Sequence, residues 1–294
     1  MELRTLRYFL TVAQEGSISD AAKILHVTQP TLSRQLAALE DEFSRQLYTR
    51  GRSGIKLTDY GLMLQSYAES IIELADKAKE EILLPERTVS GTVRIAAGES
   101  QAMNLLAEAA DIVRAKYPGV SFALYSGTTL ELKEGLMRGH YDVMLECEIQ
   151  ESPALNQLVL PIKDVWGVVA RRDSALAKLS GIAPKNLKGQ SIIASRQALS
   201  GTLREWGGSA LDDADIIATM SLPTNARFLV QQGMGSLLTY EGLVDTSKES
   251  GLVFIPFDPP YYAEAGIVWR RTLPTKQTQV FLDTISEIIK RDEY

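Results

Sequence analysis

The residues best suited to chemistry lie in one short stretch near the N-terminus, Thr28-Gln29-Pro30-Thr31-Leu32-Ser33-Arg34. At helical spacing Leu32, Leu36, Leu39 and Phe43 form a buried stripe, which leaves Gln29, Thr31, Ser33, Arg34 and, further on, Ala37 and Ala38 on the exposed side. A helix with polar and small side chains in its first two turns suits the DNA major groove, where arginine gives two donors to guanine and glutamine two bonds to adenine. Any solvated surface helix shows such a face. Arg45, Arg50, Arg52 and Lys56 shift the balance, because they set positive charge beside the helix where phosphate contacts would position it.

A second set of candidates is dispersed. Ser100, Thr128, Thr129 and Thr224 each stand where an apolar strand meets the start of a helix, so their hydroxyls and free backbone N–H groups would open on the crevice at the strands' carboxyl ends. Each alone reads as a helix cap; their recurrence at matching positions argues for binding. Such a site favours negative charge, and the expected ligand is a small polar metabolite carrying a carboxylate. Glu99, Glu146 and Glu148 oppose this if they point inward, where they would repel an anion and receive an amino group instead. Catalysis has weaker support. Cys147 at the end of an apolar strand reads as a small buried hydrophobe rather than a nucleophile, with His140 the only base to consider beside it and His26 lying in a turn. There is no G-x-S-x-G, P-loop or H-E-x-x-H motif, and Gly233-Met234-Gly235 lacks the rest of a dinucleotide fingerprint. No enzyme activity, metal or cofactor is expected. The alternative is a cytoplasmic small-molecule-binding protein or enzyme of periplasmic-binding-protein-like fold.

The elements that must position these residues follow from periodicity. Leu3, Leu6, Leu10 and Ala13 mark a first helix, Ile18, Ala21, Ala22 and Leu25 a second, and the turn His26-Val27-Thr28 joins it to the helix that carries Leu32 and Arg34, making a helix-turn-helix. Residues 45–57 read as a hairpin with a basic tip at Gly51-Arg52-Ser53-Gly54, a wing. Thr58 then opens a helix to Leu84, where Leu64, Ala68, Ile71, Ala75, Ala78 and Ile82 keep a heptad-like register that reads as a seam for a partner helix. After a linker at 85–91, strands and helices alternate: strands at 92–97, 120–125 and 141–147, helices at 102–117 and 129–138, then strands at 165–170, 191–194 and 216–222, a helix at 224–232, a strand at 265–269 and a helix at 277–291. That order predicts βαβ units with parallel strands, in two α/β lobes.

With 294 residues, 45% hydrophobic and 23% charged, the chain has material for two or three cored domains. The formal charge of −6 is not the basic footprint of a nucleic-acid binder, so the DNA reading rests on local patterning. One cysteine excludes an internal disulfide, and neither a membrane span nor a secretion signal is seen, which predicts a cytoplasmic protein.

Residues 1–61, through AAKILHVTQPTLSRQLAALE and LYTRGRSGIKLTDYG, resemble the N-terminal domain of the LysR-type transcriptional regulators, and the chain length and later architecture resemble that family throughout. The resemblance implies a winged helix-turn-helix over 1–61, a dimerising linker helix over 58–84, a hinge at 85–91 and a periplasmic-binding-protein-like α/β effector domain over 92–294, with lobe I about 92–162 and 266–294 and lobe II about 163–265. It implies that Gln29, Thr31, Ser33 and Arg34 face bases and phosphates, that Arg50 and Thr58 support backbone contacts, and that the long helix builds a homodimer or homotetramer on an interrupted palindrome in double-stranded DNA. It further implies an effector crevice at Ser100, Thr128, Thr129 and Thr224, faced by the Ser200-Gly201-Thr202 loop, and admits RNA polymerase as a partner. Three positions depart from the family pattern. Ser44 replaces a common glycine, at about 1 kcal/mol if left-handed, Tyr48 replaces a usual phenylalanine, and the wing arginine sits at Arg52.

Overall fold

The computed structural model describes residues 1–51, 54–83 and 89–292, except the side chains of Arg50, Glu80, Glu81, Leu83, Thr202 and Asp292. The chain divides into two compact units, Met1–Glu86 and Arg87–Tyr294.

The first unit opens with α1 (Leu3–Glu15), α2 (Ile18–Ile24) and α3 (Gln29–Phe43). In α1 the buried face is Leu6, Phe9 and Val12; of the expected Leu3-Leu6-Leu10-Ala13 line Leu6 is buried, Leu3 is exposed, and Leu10 and Ala13 are half-buried, so the stripe lies a step away from that line. Left-handed Gly16 ends α1, and the Ser17 hydroxyl accepts from Asp20 N to start α2. The small Ala21 and Ala22 are buried against the neighbouring helices. Thr28 caps α3 by accepting from Thr31 N, and Leu32, Leu36 and Leu39 fill the core. Phe43, expected in that stripe, is exposed, because the helix stops directly after it at Ser44, which is left-handed (φ 51°, ψ 37°).

A hairpin of β1 (Tyr48–Gly51) and β2 (Gly54–Leu57) follows, paired from Tyr48↔Leu57 to Gly51↔Gly54. It is tied to the helices by Ile55 N donating to Gly16 O at 2.8 Å. Gly54 is required there: its φ is 104° and a Cβ would stand 2.5 Å from Gly16 O. Glu40 of α3 anchors the other strand by accepting from Leu47 N at 2.7 Å.

Helix α4 (Asp59–Leu83) differs from the sequence reading in what covers its apolar stripe. Leu64 and Ala68 are buried, and Ile71 half-buried, in the core that α1 shares within the same unit, and an Arg7–Asp76 ion pair adds to the α1–α4 contact. Ala75 is half-buried, Ala78 is exposed and Ile82 is 82% exposed. The seam is therefore not a free partner-binding edge in its first half. A heptad register identifies a stripe that must be covered, and α1 of the same chain covers its first half. Among the other exposed apolar residues of α4, Tyr60, Met63, Tyr67 and Leu74 share a neighbouring face of the helix, and Leu62 lies away from it.

In the second unit β3 (Gly91–Ala97), α5 (Met103–Lys116), β4 (Val120–Ser126), α6 (Thr129–Arg138) and β5 (Val143–Glu146) form the expected parallel units, with β3 between β4 and β5. β6 (Leu155–Arg171) starts ten residues earlier than its apolar core suggests, because its first half alternates buried and exposed positions. Next come β7 (Ser191–Ser195), α7 (Arg196–Ser200), α8 (Thr202–Gly207), α9 (Ser209–Asp212), β8 (Asp215–Met220), α10 (Pro223–Gln231), β9 (Ser236–Tyr240), β10 (Leu252–Pro256), β11 (Tyr262–Arg270) and α11 (Lys276–Asp292). β9 and β10 lie outside the expected pattern; both are five-residue strands whose apolar runs carry no periodic signal of their own.

The strands run β4-β3-β5-β11-β6-β9-β7-β8, with β10 on β6. β6 and β11 are antiparallel, and β6 passes from the β11 pairing into the β9 and β10 pairings, so it belongs to both lobes. One core, with Ile95, Leu106, Val143, Ile267 and Phe281, packs α5 and α11 on the first sheet, while Leu132, Leu136 and Met144 pack α6 on its other face. Two further cores cover the second sheet, one around Trp166, Ile192, Leu238 and Phe257, the other around Val169, Ile193, Val230 and Leu237.

Candidate nucleic-acid interface and ligand cleft

The exposed side of α3 carries Gln29, Thr31 and Arg34, with Ser33 half-buried between them and Ala37 and Ala38 beyond. The Thr31 hydroxyl shares a 2.8 Å hydrogen bond with that of Thr28, so the cap and the presented side chain are one local structure. In the wing, Lys56 is exposed, and Arg45 is exposed with its guanidinium over the Tyr60 ring at 5.1 Å. Arg50 stands in β1 opposite Ile55; its side chain, and Arg52 altogether, lie outside the described residues. Thr58 is occupied in the fold: its hydroxyl donates to Gln46 O at 2.7 Å and accepts from Gly61 N at 3.1 Å, which caps α4. Gly61 has no room for a side chain, since a Cβ would sit 2.0 Å from Leu47 O.

The second unit contains a cleft of about 940 Å³ between its lobes. One wall comes from the ends of β3 and β5 and the start of α6, the other from β7 with α7, the β8–α10 junction and β9. Of the residues expected to bind a ligand, Thr128 and Thr129 line it, and so does Ser200 of the loop expected to face it. Thr128 is also a working cap: its hydroxyl accepts from Glu131 N and its backbone N–H donates to Glu131 Oε2 at 3.1 Å, a reciprocal capping box, and the hydroxyl also donates to Oε2 at 2.7 Å. The two bonds its carboxylate accepts from Thr128, the hydroxyl's foremost and then the backbone N–H's, hold the Glu131 carboxyl below its usual range.

Two expected residues are not brought to the cleft surface. Ser100 is buried and donates to Asp164 Oδ2 at 2.5 Å, while Gln101 N donates to Oδ1 at 2.9 Å. The junction closes over Asp164 because a buried carboxylate must be given donors. Burial still pushes the Asp164 carboxyl up, against the pull of those two bonds. Thr224 does not line the cleft but donates from α10 to Glu99 Oε1 at 2.5 Å, a contact between the lobes. Thr202 begins α8 with its side chain outside the described residues, and Gly201 alone separates it from Ser200, the last residue of α7.

Glu99, Glu146 and Glu148 do line the cleft, with Glu131. Glu146 is 2% exposed; its Oε1 receives Lys133 Nζ at 3.0 Å, and its Oε2 has no partner. Glu148 Oε1 accepts from the Tyr240 hydroxyl at 3.3 Å. The cations on the lining are Lys133 and Arg196, so four carboxylates face two positive groups. The cleft's charge therefore runs against the expected carboxylate ligand. Cys147, also on the lining, is pushed up to about 12 by burial first and then by Asp164, Glu148, Glu146 and Glu99. A thiol with that pKa is neutral at pH 7 and a poor nucleophile.

Sequence reasoning missed Trp166, Tyr240, Lys133, Ser195 and Arg196. Ser195 was within reach, since it caps α7 after a strand just as Thr128 caps α6. Trp166 and Tyr240 sit within strands, and nothing local distinguishes them from core; their rings meet at 4.4 Å, edge to face. Among the described residues no group of three or more His, Cys, Asp or Glu could hold a metal ion, and no helix is long and apolar enough to cross a membrane.

Comparisons with known proteins place these units. Residues 3–62 match the family model of the bacterial regulatory helix-turn-helix protein, lysR family, and residues 86–289 match that of the LysR substrate binding domain. The nitrogen assimilation regulatory protein nac of Klebsiella aerogenes is 27% identical over 82% of this chain and 79% of its own. The HTH-type transcriptional regulator YofA of Bacillus subtilis (strain 168) is 28% identical over 98% of this chain and 99% of its own. The crystal structure of full-length CbnR complexed with its target DNA shares the fold, with a TM-score of 0.73, 21% identity, and 98% and 99% of the two chains covered. With both family models matched and spanning nearly its whole length between them, the chain belongs to the LysR family of transcriptional regulators.

Proposed function

We propose that this regulator binds an interrupted palindrome in double-stranded DNA as a homodimer, the unit from which a tetramer would be built, and that a small molecule in the cleft of its second unit sets its affinity for that site in the cytoplasm. The observation that carries the reading is the exposed first turn and a half of α3, with Gln29, Thr31 and Arg34 on a capped helix flanked by a wing that adds Lys56. Arg34 serves as a base reader and Lys56 as a phosphate contact. Tyr60, Met63, Tyr67 and Leu74 on α4 supply the apolar face for the second copy. The ligand acts through linkage: whichever state of the paired protein it binds better is the state it populates.

The test is operator binding by the full chain at two salt concentrations. Arg34→Ala should cost about 1 to 3 kcal/mol on the operator and relax base preference, whereas Lys56→Ala should weaken specific and random DNA alike and reduce the salt slope by about one charge. Equal losses on both DNAs for Arg34→Ala would remove it as a base reader, and salt-independent binding would refute the interface.

A further inference from the structure

Resting on the reading that the cleft is the effector site, we propose that its ligand is an organic cation: a protonated primary amine, held by the acidic wall of Glu99, Glu146 and Glu148, with a neighbouring hydrogen-bond acceptor on the Trp166 indole and an apolar body. Three independent features of the cleft point there. The first is charge, four carboxylates against Lys133 and Arg196, with Lys133 already engaged by Glu146.

The second is unfulfilled hydrogen bonding. Glu146 Oε2, on a side chain 2% exposed, has no donor, and neither has Glu99 Oε2. Trp166, 5% exposed and on the same lining, has no acceptor for its Nε1. Buried polar groups without partners are costly and uncommon, and those here are of opposite kinds. Two acceptors that lack donors and one donor that lacks an acceptor ask for a ligand with both. An ammonium beside a carbonyl or hydroxyl meets that demand, whereas a simple carboxylate meets only the indole and is repelled by the rest.

The third is the apolar lining. Leu130, Leu222, Leu238 and Leu243 join the rings of Trp166 and Tyr240, and an aromatic wall next to carboxylates suits a cation with a hydrocarbon body. The local field agrees: burial, followed by Glu148, raises the Tyr240 hydroxyl, and Cys147 is raised by burial and by the surrounding acids.

A charge series on one body tests the assignment: L-phenylalaninamide (cation), L-phenylalanine (zwitterion) and N-acetyl-L-phenylalanine (anion), with L-leucinamide and L-lysinamide as cations on other bodies. Melting of the full-length protein is followed with each compound at up to about 10 mM, since saturation of a site raises stability by mass action. At least one of the three amides should raise the melting temperature, and the anion should not. Glu146→Gln should weaken that amide by at least about tenfold. Glu99→Gln, which keeps an oxygen for Thr224, does the same where the buried substitution fails to fold, and Trp166→Phe should weaken the amide and leave no preference for the amide carbonyl over the matching simple amine.

Stabilisation by the anion and not the cations, no shift with any of the three amides, or unchanged amide affinity in both glutamine variants would overturn the proposal. Operator binding by the ligand-free wild-type protein is measured alongside. Its absence would count against the regulator reading, while the melting series alone decides the ligand's class.

Discussion

Ser44→Gly should stabilise the DNA-binding unit. Ser44 ends α3 at φ 51° and ψ 37°, with its N–H on the carbonyls of Asp41 and Glu40. A side chain in that left-handed conformation costs about 1 kcal/mol that glycine does not incur. Against the gain stand the greater freedom of glycine in the unfolded chain, about 0.4 to 1 kcal/mol, and the loss of the Ser44 Oγ contact to Asp41 O, which at 3.5 Å and exposed contributes little. The net gain is up to about 0.6 kcal/mol, and at roughly 4 to 8 °C per kcal/mol for a domain of this size the transition should move up by as much as about 5 °C. Scanning calorimetry of the full chain reads it, with the transition assigned by its response to operator DNA. Ser44→Ala keeps the Cβ in the same conformation and serves as the control. Operator affinity should stay the same, because Ser44 follows a helix of 15 residues, about 22 Å of rise, that begins at Gln29. A glycine variant that melts no higher than the alanine variant would show that the left-handed end carries no strain, and the argument would fall.

Two further perturbations probe the helix face and the cleft. Tyr67→Glu puts a charge on the open face of α4, where Tyr67 is 61% exposed; it should raise the dimer dissociation constant by about a hundredfold in sedimentation velocity without melting the unit, because a charge on an apolar interface goes unpaired. Ala68→Leu, on the face packed against α1, should instead lower the melting temperature and leave self-association in place; the reverse pattern would return the interface to the heptad seam. Thr128→Val should remove the α6 cap, at about 1 kcal/mol, and release the largest of the bonds that depress Glu131. A depressed carboxyl stabilises above its unfolded pKa and loses that contribution as pH falls, so wild type should lose stability below about pH 4.5 more steeply than the variant. Urea midpoints at pH 7 and pH 3.5 that fall by the same amount in both proteins would contradict this.

The sequence alone was enough for the helix-turn-helix, because its evidence is local. Thr28 as a cap, Pro30 in the first turn and the Leu32-Leu36-Leu39 stripe are read within a few residues of one another, and capping and burial follow directly. The alternation of β3, α5, β4, α6 and β5 was legible for the same reason. What covers a stripe is not local. Leu64 and Ala68 had the register of an intermolecular seam, yet α1 of the same chain reaches them, and a period of 3.5 residues records only that something does.

The cleft shows the limit most clearly. Ser100, Thr128 and Thr224 have the same local signature, a hydroxyl where a strand meets a helix, and tertiary packing gave them three different fates: bonded to buried Asp164, capping α6 on the cleft wall, and bridging to Glu99. The charge of the site likewise came from convergence, since Glu99, Glu146 and Glu148 become one wall only when β3 and β5 lie side by side. Trp166 and Tyr240, strand residues with nothing nearby to mark them, meet because β6 and β9 pair at that register. Hydrogen-bond capacity and charge are properties of a residue, but whether they are satisfied depends on neighbours that the chain brings from far away, and that is settled only by the folded structure.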